Sequence, residues 1–82
     1  MNKASIPILE LLDESELSLP APTITHNLER KLSDAPSRAT VFRALRPLEE
    51  HELIRATGGD STHYEITDKG QAYLNGEHVI QD

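Results

Sequence analysis

Between Ser37 and Glu50, the apolar residues Val41, Ala44, Leu45 and Leu48 fall on one arc when each residue is advanced by roughly 100°. That arc is the width of one buried helix face, and it keeps its phase through Pro47. A proline there removes the hydrogen bond to the Arg43 carbonyl and disfavours helical geometry at Arg46, a cost of about 3 kcal/mol in an ideal helix. A stripe that survives such a residue predicts a kinked but continuous helix over 37–50, with Ser37 as its N-cap. Glu52 stands where the chain must leave this helix toward "LI", at a position that favours glycine. A left-handed Glu52 is expected, at a cost of about 1 kcal/mol.

The remaining punctuation sets what this helix can pack against. Ser5 is read as the cap of a first helix over Ile6 to Glu14, with Ile8, Leu11 and Leu12 on its apolar stripe. "SELSLPAP" breaks the period, and the alternation of Leu17 and Leu19 suggests a short strand. A second helix starts at Pro22 or Thr23 and runs to Lys31, burying Ile24, Leu28 and Leu32. After the central helix, "LIRAT" and "THYEI" alternate around the turn-rich "GGDS", which predicts a hairpin with one face on the helices. Thr67 caps a last helix, "DKGQAYLN", and Gly76 stops it. Three helices, a short strand, a two-stranded wing and a C-terminal helix make an α+β, mainly α chain: a winged helix-turn-helix. Eighty-two residues suffice for one such domain, spanning 1–82. A plain helical bundle with an appended hairpin is the competing arrangement, and it leaves the apolar strand faces uncovered.

The outward face of the central helix is basic in an otherwise acidic chain. The net charge is −6, yet residues 35–48 carry +3 with no carboxylate. Ala39, Phe42, Arg43 and Arg46 lie opposite the core arc, and Arg38 and Thr40 flank it at the helix start. Arginine donates twice to guanine O6 and N7, while phenylalanine and small apolar groups meet the thymine methyl. The helix N-terminus adds free N–H groups for phosphate. Ser37, Arg38, Ala39, Thr40, Phe42, Arg43 and Arg46 are therefore the candidate double-stranded-DNA contacts, and Lys31, Arg55 and Thr62 are candidate phosphate or wing contacts. The plainer readings are a solvated arginine face, Phe42 packed on protein, and Arg30 and Lys31 paired with Glu29 or Asp34.

Other function classes find little support. With no cysteine, there is neither a disulfide framework nor a thiolate metal site. His26, His51, His63 and His78 are scattered, and four glycines form no nucleotide fingerprint. The chain is therefore read as a non-enzyme without cofactor or metal. The longest apolar run, "IPILELL", is interrupted by Glu10, and the N-terminus lacks the flanks of a signal peptide, so a cytoplasmic location without membrane partners is expected.

The segments "SRATVFRALRPLEEHELI" and "ITDKGQAYLNGE" together resemble the small archaeal winged-helix proteins related to the phi-H phage repressor. More distantly, they resemble MarR- and PadR-type regulators. The resemblance runs from "ILELL" (8–12) through "ITDKGQAYL" (66–74). It implies a transcriptional regulator, a repressor, binding DNA as a dimer through the helix at 37–50. It also implies a structural role for Thr67, Asp68, Lys69 and Gly70 at the start of the last helix. The first helix, or the last helix with "HVIQD", would supply the dimer surface. A winged helix used as a protein–protein adaptor is the alternative function.

Overall fold

The computed structural model describes residues 3–58 and 62–76. Within them the chain runs α1 (Ser5–Ser15), β1 (Leu19–Pro20), α2 (Ala21–Lys31), α3 (Arg38–Glu50), β2 (Ile54–Thr57), β3 (His63–Ile66) and α4 (Asp68–Leu74). The short strand does not stand apart from the wing. It pairs antiparallel with β3, Leu19 against Tyr64, and β3 pairs antiparallel with β2, Ile54 against Ile66. The sheet is therefore three-stranded in the order β1-β3-β2. Its expected start at Leu17 is lost: Leu17 is 62% exposed, and only Leu19 and Pro20 reach β3.

The core forms where the predicted stripes converge. Ile8, Leu9, Leu11 and Leu12 of α1, Ile24 and Leu28 of α2, and Val41, Ala44, Leu45 and Leu48 of α3 are buried together with Leu53 and Ile54. Tyr64 and Ile66 of β3 pack against this cluster, so the hairpin has one face on the helices. Two details of the helix starts differ from the sequence expectation. Ser5 is not a cap but the first residue of α1; Ala4 holds the cap position without a side-chain bond. Ala4 is fully buried, which draws the helix start into the core and turns Ser5 inward, its Oγ unpartnered among the described residues. Helix α2 starts at Ala21, one residue before the expected range, with a proline in its first turn. Leu32 falls just past α2 in extended backbone, which removes it from the stripe and leaves it exposed.

Helix α3 is continuous through Pro47. Its end is built by tertiary contacts. Glu52 adopts φ 64°, the expected left-handed conformation, and the Leu53 N–H bonds back to the Leu48 carbonyl at 2.9 Å. The Thr67 hydroxyl donates to the Glu52 carbonyl at 2.6 Å and accepts from the Gly70 N–H at 3.0 Å, capping α4. The Thr67 N–H in turn reaches the Leu53 carbonyl at 3.1 Å. Gly70 is buried against that carbonyl; a Cβ there would fall inside contact distance of the Leu53 oxygen and 2.7 Å from Ile66 Cγ1. Gly76 takes φ 78°, as expected of a helix stop. A second left-handed residue, Glu16 at φ 57°, ends α1. The wing tip at residues 59–61 and the tail at 77–82, with Val79 and Ile80, lie outside the described residues.

Candidate nucleic-acid interface

The segment before α3 fixes how that helix is presented. Pro36 is buried and Ser37, in extended backbone, accepts from the Thr40 N–H at 3.2 Å. The Ser37 and Thr40 hydroxyls also meet at 3.0 Å, so both belong to the cap. Thr40 is half-buried, and its hydroxyl is engaged there rather than extended outward. From this anchor the helix turns Val41, Ala44, Leu45 and Leu48 inward and leaves Arg38, Ala39, Phe42, Arg43 and Arg46 exposed. Phe42 is 49% exposed, so packing on its own chain does not account for it.

The basic side chains divide by partner. Arg46 is bonded one turn on to Glu50, Nε to Oε2 at 3.3 Å. Arg55 of β2 donates to Glu65 of β3, Nε to Oε2 at 2.9 Å, across a register-paired position. Glu65 also accepts from the Ser18 hydroxyl at 2.9 Å, and Ser18 meets Thr57 Oγ1 at 3.2 Å. The bonds from Arg55 and then Ser18 hold the Glu65 carboxyl below its ordinary value. Lys31 pairs with Glu14 on α1, not with Glu29 or Asp34, and is thereby tied to protein. Lys69 stands 4.0 Å from Glu52. Among the described residues, Arg38 and Arg43 make no ion pair or hydrogen bond, and neither does Arg30 in the last turn of α2. Thr62, just before β3, is exposed.

This placement runs against the helix dipole. Helix α3 has no acid in its first turn and no base in its last, but opens with Arg38 and closes with Glu49 and Glu50. Each such mismatch costs roughly 0.3–1 kcal/mol at an exposed helix end. Local helix stability therefore does not explain the arrangement. A bound anion at the N-terminal end would, because it meets both the free N–H groups and the unpaired guanidiniums.

The rest of the described surface offers no comparable cationic face. The depression between α1, β3 and α4 carries Asp13, Glu16 and Glu65 and no basic residue. Among the described residues, no three His, Cys, Asp or Glu side chains gather as a metal set, and no helix is long and apolar enough to cross a membrane.

Helices α2 and α3 form the helix-turn-helix, and β2 lies beside α3 and pairs with β3 to form the wing. Residues 6–74 match the family profile described as the ribonuclease R winged-helix domain. The chain belongs to that winged-helix family. No curated protein and no solved structure matches it. Within the family match, α3 and the hairpin both fall inside the matched span, so the face described here belongs to the winged-helix domain itself.

Proposed function

We propose that this winged-helix domain binds double-stranded DNA sequence-specifically through α3 and acts as a transcriptional regulator, a repressor of the phi-H phage repressor-like type. The observation that carries the reading is the pair of guanidiniums, Arg38 and Arg43, unpaired among the described residues, beside the exposed Phe42 on one face of a well-anchored helix. Early residues of the second helix of a helix-turn-helix meet base edges, and these three occupy that part of α3. Arg43 suits guanine, Phe42 and Ala39 suit thymine methyls, and Arg38 with the helix N-terminus suits phosphate. The domain works without catalysis, cofactor or metal. It acts in the cytoplasm as a homodimer, for which the exposed Ile6 of α1 supplies apolar surface.

An acidic protein with few free cations gains little from counterion release, so base contacts carry much of the affinity. The test is an electrophoretic shift with the DNA upstream of its own coding sequence and with duplexes selected from a random pool. Arg38→Ala/Arg43→Ala is expected to weaken specific binding about 100-fold. Retained specific binding in that double variant refutes the assignment of this face. Because the family takes its name from a ribonuclease, duplex RNA of the same sequence is the competitor to include, and stronger binding to RNA would replace DNA as the ligand. A wild-type protein that shifts no nucleic acid at any salt concentration would favour the adaptor alternative.

A further inference from the structure

Arginine is spread along the whole side of the molecule formed by α3 and β2, but it is not equally available. In the N-terminal half of α3, Arg38 and Arg43 are exposed, and among the described residues no carboxylate is bonded to them. At the other end the pattern reverses. Arg46 is held by Glu50, and Arg55 is held by Glu65. The shallow cleft between the end of α3 and β2 is lined by Arg55 together with Glu49 and Glu52. Among the described residues, each arginine on this half of the face thus has a carboxylate beside it, Glu52 approaches Lys69, and Glu49 adds a further negative charge.

We infer that Glu50 and Glu65 are specificity-determining residues for the proposed DNA contact: by holding Arg46 and Arg55 they remove two phosphate-binding cations and confine engagement to the N-terminal half of α3. The inference rests on the DNA-binding reading of that helix. Its physical basis is that phosphate contacts supply affinity without sequence information, whereas base contacts discriminate. A free Arg46 and a free Arg55 would each add a sequence-independent contact and tighten binding to every duplex alike. A bonded one must give up its carboxylate first, and that carboxylate then lies against a phosphate. The net effect lowers non-specific affinity most, because specific complexes are also held by Arg43 and Phe42.

Two structural features separate this role from a purely architectural one. Glu50 lies on the exposed surface of α3 and, among the described residues, its side chain bonds only Arg46, so its loss leaves the core untouched. Glu65 also joins Ser18, the residue before β1, to the wing, so its replacement by glutamine keeps a hydrogen-bonding group there. Both replacements are isosteric and remove one negative charge each.

The test is fluorescence anisotropy of the full chain with two labelled duplexes, one selected from a random pool and one with the same composition scrambled, over a salt series. Glu50→Gln, Glu65→Gln and the double variant are compared with wild type. Glu10→Gln, an exposed carboxylate on α1, controls for net charge. The double variant is expected to bind the scrambled duplex about three- to tenfold tighter, to gain less on the selected duplex, and to steepen the salt slope by about 1–2. Glu50→Gln alone is expected to give roughly half of that change on the logarithmic scale, and it carries the test should Glu65→Gln fail to fold. If the wild type binds the selected duplex but the variants match it in scrambled affinity and slope, the inference fails and the DNA reading stands. The inference also fails if Glu10→Gln raises scrambled affinity as much, since net charge would then be sufficient. If wild type and variants alike bind neither duplex, the DNA reading fails and takes the inference with it.

Discussion

The two ends of α3 both break local rules, and they differ in where the compensation lies. At the N-terminal end, Arg38 sits at the positive end of the dipole and, among the described residues, no carboxylate answers it. At the C-terminal end, Glu52 is left-handed, a cost of about 1 kcal/mol, and the chain answers it several times over. Thr67 fixes the Glu52 carbonyl and caps α4, and Gly70 closes on the Leu53 carbonyl. A violation compensated within the fold is architecture. One left uncompensated points to something outside the chain, which is why the basic end, and not the strained end, is the candidate interface.

The largest expected effect comes from breaking the compensated end. Gly70→Ala places a methyl against backbone that cannot yield, and packing errors of that kind cost about 3 kcal/mol or more. Thermal unfolding followed by circular dichroism is expected to show Tm lower by roughly 15 °C. Below that transition, affinity for the selected duplex is expected to stay within about twofold of wild type, because Gly70 touches none of the free arginines. A variant that keeps its Tm but loses DNA binding would reverse the assignment of the two ends.

A smaller and opposite effect sharpens the comparison. Glu52→Gly removes the left-handed cost while losing only a distant approach to Lys69, 4.0 Å away. Stability should rise by about 1 kcal/mol, less whatever the added freedom of glycine costs in the unfolded chain. Glu16→Gly, at φ 57°, should behave alike at the end of α1. An unchanged or lowered Tm for Glu52→Gly alone would mean that its side chain contributes more than its backbone costs, and the contrast between the ends of α3 would weaken.

These particular residues also mark what the sequence could reveal. The core face of α3 is legible because Val41, Ala44, Leu45 and Leu48 keep one period through Pro47, and the left-handed Glu52 is legible because the chain must turn there toward Leu53 and Ile54. The two-stranded wing is legible from alternation, and Ser37 and Thr67 from their place before periodic runs. What escapes is set by residues far apart in the chain. The pairing of Lys31 with Glu14 spans 17 positions, and nothing local favours it over Asp34 or Glu29. The closeness of Gly70 to Leu53 and the arrival of β1 beside β3 depend equally on tertiary packing. Ser5 looks like a cap because caps are recognised by residue type, while the burial of Ala4 decides the actual helix start. At the candidate site, the outward residues follow from the wheel, but the division into free and bonded arginines does not. Glu65 reaches Arg55 only once the hairpin register is set.

That bonded pair gives the smallest effect and separates the wing from the helix end. Bonds from Arg55 and then Ser18 hold the folded Glu65 carboxyl below its ordinary value of 4.5. A carboxyl more acidic in the folded than in the unfolded chain adds stability above its unfolded pKa, and that contribution is lost as pH falls through the folded one. The Tm difference between wild type and Glu65→Gln should therefore favour wild type at neutral pH and shrink as the pH falls through the folded pKa of Glu65. The pair is solvent-exposed on the Arg55 side, so the difference is expected to be small and to diminish with added salt. Among the described residues Arg38 and Arg43 have no such carboxylate, so their end of α3 is not expected to add to this pH dependence. Arg38→Ala/Arg43→Ala should leave the curve of Tm against acid pH parallel to wild type. A double variant that changed its shape would show those arginines to be engaged with carboxylates of the chain, and the uncompensated end would then be compensated after all.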